Sequence, residues 1–67
     1  MWLHEYIKVG TRVRRADNPS HHGVVLMVSG NQAKTVEAAQ AVAVFRVLWD
    51  NGWREDCSRN ELERDDC

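Results

Sequence analysis

The chain has 67 residues, nine lysines and arginines against ten aspartates and glutamates, and a formal net charge of −1. That length holds one domain with a small core, and near-neutrality argues against a protein devoted to coating nucleic acid, whose domain is normally strongly basic. With only two cysteines, Cys57 and Cys67, no basic leader and no apolar run near the roughly 18 residues of a membrane span, a disulfide scaffold and a helical membrane protein are not expected, and a cytoplasmic location is.

In chain order, Ile7, Val9, Thr11 and Val13 alternate with Lys8, Arg12 and Arg14, the period of a half-buried strand, with Gly10 as a bend or bulge. The stretch from Ala16 to Gly23 is dense in turn formers and is expected as a surface loop. Val24 to Val28 is a short β-branched run ended by Ser29-Gly30-Asn31, so a second strand follows. Its inward set is either Val24, Leu26 and Val28 or Val25 and Met27, since a slip of one residue exchanges the two faces. From Gln32 to Gln40 the residues are helix formers without an apolar stripe, which predicts a long excursion with room for one helical turn.

Ala41 to Trp49 reads as a strand with Phe45, Val47 and Trp49 on one face and Arg46 on the other. Asp50-Asn51-Gly52-Trp53 predicts a tight type I′ hairpin, because Asn-Gly accepts positive φ, and Trp53 to Cys57 should return antiparallel. Ser58-Arg59-Asn60-Glu61 has capping-box spacing and predicts a single 3-10 turn, with a last short strand around Leu62. The expected fold is therefore mainly β: a small five-stranded barrel over 9–64, with 1–8 as an N-terminal arm and the whole of 1–67 as one domain.

The motifs Val9-Gly10-Thr11-Arg12-Val13-Arg14-Arg15, Gly23-Val24-Val25, Val47-Leu48-Trp49-Asp50-Asn51-Gly52 and Glu61-Leu62 resemble the Tudor, KOW and Mind-bomb type modules of the SH3-like barrel superfamily over about 9–64. The resemblance implies the fold more than the function. Gly10 to Arg15 and the ending Asn60-Glu61-Leu62-Glu63-Arg64 are also similar to type B dihydrofolate reductase, an SH3-like tetramer with a shared pore. That family's pore motif Val-Gln-Ile-Tyr-Pro has no counterpart here, where the region reads Arg54-Glu55-Asp56-Cys57-Ser58. The second likeness therefore carries no reductase activity, and an enzyme is not expected.

Aromatic residues on such a surface stack on peptide, methylated amine or base. Trp49 falls on the Phe45 and Val47 face and is assigned to the core. Trp53, with Asp17, His21, His22, Asp50 and Asn51, is expected to line a groove between the 17–23 loop and the 50–52 turn that takes a protein or peptide. Trp2 and Tyr6 precede the barrel and are the candidate surface for homo-oligomer contact, which in a third reading builds a ligand-binding pore. Arg12, Arg14, Arg15 and Arg46 form the alternative, a phosphate-binding face for nucleic acid, unless nearby carboxylates neutralise them.

No metal or cofactor is expected, because His4, His21, His22 and Cys57 lack ligand spacing. Cys57 has no base nearby in sequence and is expected to be buried and inert. The leading expectation is a small non-catalytic binding module.

Overall fold

The computed structural model describes residues 6–30 and 34–65. Trp2, His4 and Cys67, and with Trp2 part of the expected oligomer interface, lie outside the described residues. The architecture is mainly β: one open sheet of five antiparallel strands, one α-helix and one 3-10 turn. The strands are β1 (Arg12–Arg15), β2 (Asn18–Ser29), β3 (Val44–Trp49), β4 (Arg54–Ser58) and β5 (Leu62–Arg64), in the spatial order β4-β3-β2-β1-β5. Helix α1 (Val36–Val42) connects β2 to β3, and the 3-10 turn (Arg59–Glu61) connects β4 to β5. No helix among the described residues is long and apolar enough to cross a membrane.

The last connection bends the sheet. Laid flat, five strands would hold β4 and β5 about 19 Å apart, four spacings of roughly 4.8 Å. The path from Ser58 to Leu62 reaches at most about 14 Å. The sheet must therefore curl, and its concave side encloses the core: Ile7, Val13, Val25, Ala43, Phe45, Val47, Trp49, Cys57 and Leu62.

Several local expectations are corrected. The strand predicted from Ile7 onward is interrupted, because Thr11 N–H donates to the Lys8 carbonyl (3.0 Å) with Gly10 at φ +90°. This turn needs positive φ, and it swings Val9 outward to 61% exposure while Ile7 and Val13 stay buried. The loop expected over 16–23 is short. Asn18 already pairs with Arg15, and β2 runs from there. The sequence reads as a loop because β1's partner jumps from His22 to Asn18 between Arg14 and Arg15, so Pro19, Ser20 and His21 have no opposite residue on β1. A proline is tolerated there, where no ladder bond is asked of its nitrogen.

Neither inward set predicted for 24–28 holds alone. Val25 faces Val47 and Met27 faces Arg46, so Leu26 is an extra residue. Such a bulge shifts the pleat by one. Val25 is buried before it, Val28 packs on the core after it, and Leu26 and Met27 are exposed.

Helix α1 is longer than the single turn expected, and it takes Ala41 and Val42 from the predicted third strand, which starts at Val44. Thr35 caps it, its hydroxyl accepting from Ala38 N–H at 3.1 Å. Its buried residue is Gln40, whereas Val36 and Val42 are exposed. The carboxamide accepts from Ile7 N–H and donates to Ile7 C=O, both at 2.9 Å. The helix thus pins the segment before β1 through a polar side chain, which explains why no apolar stripe marks it.

The capping box at the 3-10 turn forms as read: Ser58 N–H donates to the Glu61 carboxylate at 2.7 Å, and the Ser58 hydroxyl lies 3.1 Å from it. These bonds, the Ser58 N–H foremost, hold the Glu61 carboxyl below the usual carboxylate range. Burial, aided by the charge of Glu55, pushes the Cys57 thiol up to about 11. It is therefore a core residue in its neutral form.

Candidate functional site

The β3–β4 hairpin builds the site. Trp49 C=O accepts from Gly52 N–H (2.9 Å) and Trp49 N–H donates to Trp53 C=O (2.8 Å). Among the described residues positive φ occurs only at glycine, including Gly52 at +93°. The turn is therefore not the predicted type I′, which needs positive φ at two central residues. It is a three-residue loop in which Asp50 and Asn51 make the turn and Gly52 takes the left-handed position that untwists into β4. Asn51 Oδ1 accepts from Trp53 N–H at 3.0 Å and fixes the exit.

Beyond this turn two tryptophans take opposite roles. Trp49 is 2% exposed and Trp53 is 71% exposed. Trp49 packs on Gly23 of β2, where a Cβ would lie 2.7 Å from Leu48 O and 2.8 Å from Trp49 Cε3. Only a residue without a side chain lets β2 and the indole come so close. The rest of the Trp49 ring makes two further contacts: Nε1 donates to Glu55 Oε1 at 2.9 Å, and the His21 ring stacks on the indole at 4.5 Å between centroids, 26° from parallel.

An open cleft of about 280 Å³ lies at this end, lined by His21, Trp49, Asn51, Trp53, Arg54 and Glu55. Its floor is the Trp49–His21 stack and one wall is the exposed Trp53. The electrostatics below are closed. Arg15 Nη1 donates to the same Glu55 oxygen at 2.8 Å, Arg15 Nε donates to Asp17 at 3.1 Å, and the guanidinium carbon lies 5.7 Å from the Trp49 ring centre. The hydrogen bond that Arg15 donates to Asp17 raises the Arg15 pKa and keeps it cationic. Both bonds fall on Glu55 Oε1, so that one oxygen ties Arg15 to Trp49, while the side chain as a whole stays 47% exposed.

Of the residues predicted to contact a partner, the structure gathers His21, Asn51 and Trp53. It does not bring His22, Asp50 and Asp17 into the lining. Neighbours on a strand point to opposite faces, so His22 turns away from His21 and meets Asp65, Nδ1 to Oδ2 at 2.7 Å. Asp50 pairs with Arg12 at 3.6 Å, and Asp17 acts only through Arg15. The expected groove between a 17–23 loop and the turn is corrected accordingly: its near side is the unpaired stretch of β2 that carries His21. Trp49, Arg54 and Glu55 were not anticipated in the lining. The period-two alternation from Trp53 through Glu55 to Cys57 was the available signal for Glu55.

The arginine face is internally neutralised. Arg12 meets Asp50, Arg14 meets Glu63 (3.0 Å) and Asp65 (3.8 Å), Arg15 meets Asp17 and Glu55, and Arg46 meets Asp56 (3.0 Å). The Asp56 hydrogen bond raises the Arg46 pKa. Tyr6 is half-buried, and its carbonyl accepts from Arg64. Among the described residues no three His, Cys, Asp or Glu side chains gather as a metal-binding set.

Compared with known proteins, the chain matches no family model, no curated protein and no solved structure.

Proposed function

We propose that the chain is a small SH3-like interaction module that binds a protein segment in the Trp53 cleft. The observation that carries this reading is the contrast between the two tryptophans. An indole 71% exposed costs about 2 kcal/mol or more of unrealised burial in a monomer of this size, and it stands over a cleft whose floor is held rigid by its neighbours. Rigid aromatic surface beside unburied aromatic surface is how peptide-binding sites are built, because little ordering entropy remains to be lost on binding.

The short link between β4 and β5 supports the barrel-like part of the reading, since it draws the two sheet edges toward each other. The neutralised arginines support a protein partner over nucleic acid: releasing them would break ion pairs before any phosphate is bound. The test is selection of displayed random dodecapeptides on the full chain, with Trp53→Ala as counter-selection. Enrichment that depends on Trp53 and persists in high salt supports the reading. Enrichment indifferent to Trp53, or salt-sensitive binding of single-stranded oligonucleotide instead, overturns it.

A further inference from the structure

Beside the cleft the sheet has a free edge. Trp49 N–H donates to Trp53 C=O, so the pair Trp49–Trp53 is a hydrogen-bonded one, and in an antiparallel ladder such pairs recur every second residue. The register then makes Val47–Glu55 and Phe45–Cys57 the bonded pairs. Arg54, Asp56 and Ser58 therefore aim their backbone N–H and C=O groups away from β3, and β4 is an outer strand of the sheet. Ser58 N–H is taken by Glu61. Among the described residues nothing pairs with the outward main chain of Arg54 and Asp56.

The charges along this edge are uneven. Asp56 is bound to Arg46, and Glu55 to Arg15. Arg54 has no carboxylate partner among the described residues, unlike Arg12, Arg14, Arg15 and Arg46. It also lines the cleft. The edge strand thus presents two free backbone positions, one cation without a counter-charge, and an exposed indole at its start.

We propose that the partner is an extended acidic peptide that adds itself as a strand to β4 between Arg54 and Asp56. This rests on the reading of the cleft as a peptide site. The peptide main chain takes the outward N–H and C=O groups of Arg54 and Asp56. Residues directly across a ladder are neighbours, so an Asp or Glu opposite Arg54 supplies the missing counter-charge. The next residue of the peptide points to the other face of the strand, over Trp53, and is aromatic or aliphatic.

The experiment sequences the peptides selected on the full chain and follows backbone amide exchange with one of them bound. The expected result is enrichment of Asp or Glu next to an apolar residue, with exchange at Arg54 and Asp56 slowed more than tenfold. Arg54→Glu should invert the preference toward Lys and Arg. Asp56→Pro should weaken binding at least tenfold relative to Asp56→Ala, because both lose the carboxylate but only proline loses the N–H. Should the proline variant not fold, amide exchange in the unmodified chain decides the matter. Trp53-dependent peptides without acidic enrichment, or with unchanged exchange at Arg54 and Asp56, overturn this inference and leave the cleft reading standing. No Trp53-dependent peptide at all overturns both.

Discussion

The side chain of Gln40 stands where a neighbouring strand would stand beside Ile7, accepting its N–H and donating to its C=O at 2.9 Å each. Both backbone groups are buried, so removing the amide leaves a donor and an acceptor unsatisfied, at about 1–3 kcal/mol each. Gln40→Ala should therefore lower the melting temperature by roughly 10 °C or more, given about 4–8 °C per kcal/mol for a domain this small. Calorimetry checks it, and a loss no larger than for Ala41→Gly on the exposed side of the same helix would speak against the clamp.

Gly23 supports the floor of the cleft. A methyl group there would meet the Leu48 carbonyl at 2.7 Å, and a backbone oxygen in a ladder has little freedom to retreat. Gly23→Ala should cost about 1–3 kcal/mol. It should also displace Trp49 from His21, seen as a change in the ring-current shift of the His21 protons. Unaltered His21 shifts in a destabilised variant would uncouple the packing from the site.

Cys57 should resist alkylation. It is 3% exposed and its thiol is pushed up to about 11, so iodoacetamide at pH 8 finds almost no thiolate. In a Cys67→Ser chain the native protein should take no label over hours, and the denatured protein one. Because the folded pKa is raised, the stability tied to the neutral thiol is complete below the unfolded value, near 9.0, and is lost as pH rises toward 11. Rapid labelling of the native chain would contradict the buried placement.

Glu61 has the opposite sign. Its folded pKa is lowered by the Ser58 N–H and hydroxyl, so the stabilisation is present above the usual carboxylate range and fades as pH falls through the folded value. Wild type should melt above Glu61→Gln at pH 7, and the gap should narrow as the solution is acidified through the folded value. A gap independent of pH would show that the Glu61 charge does not contribute to the capping box.

How much of this was legible in the sequence differs from element to element. The β3–β4 hairpin and the capping box follow from local chemistry: Asn-Gly at a turn and Ser-x-x-Glu at a helix start. The exposure of Trp53 does not follow from alternation, because Trp53 lies across the ladder from the buried Trp49, on the same face of the sheet. The type of turn did not follow, because Asn-Gly also serves a three-residue loop with only the glycine at positive φ. Helix α1 was read short because its inward residue is a glutamine whose partner, Ile7, is 33 positions away. His21 looked like loop because Pro19, Ser20 and His21 lack partners on β1, a property of register that local composition does not encode. The bulge at Leu26 likewise mixed two alternatives that alternation treats as exclusive. At the site, the pairing of Glu55 with Arg15 spans 40 positions and decides which charges are left for a ligand.

On the reading proposed above, the cleft between Trp53 and the His21–Trp49 stack is the binding surface. The most direct measurement is a titration of the isotope-labelled full chain with a Trp53-selected peptide, followed through the backbone amides and both indole N–H signals. Binding in the cleft should concentrate the shifts at His21, Asn51, Trp53, Arg54 and Glu55 and at the Trp49 Nε1 proton, which is bonded to Glu55 beside the floor. Shifts centred instead on Arg12, Arg14 and Glu63, with the two indoles unmoved, would contradict it.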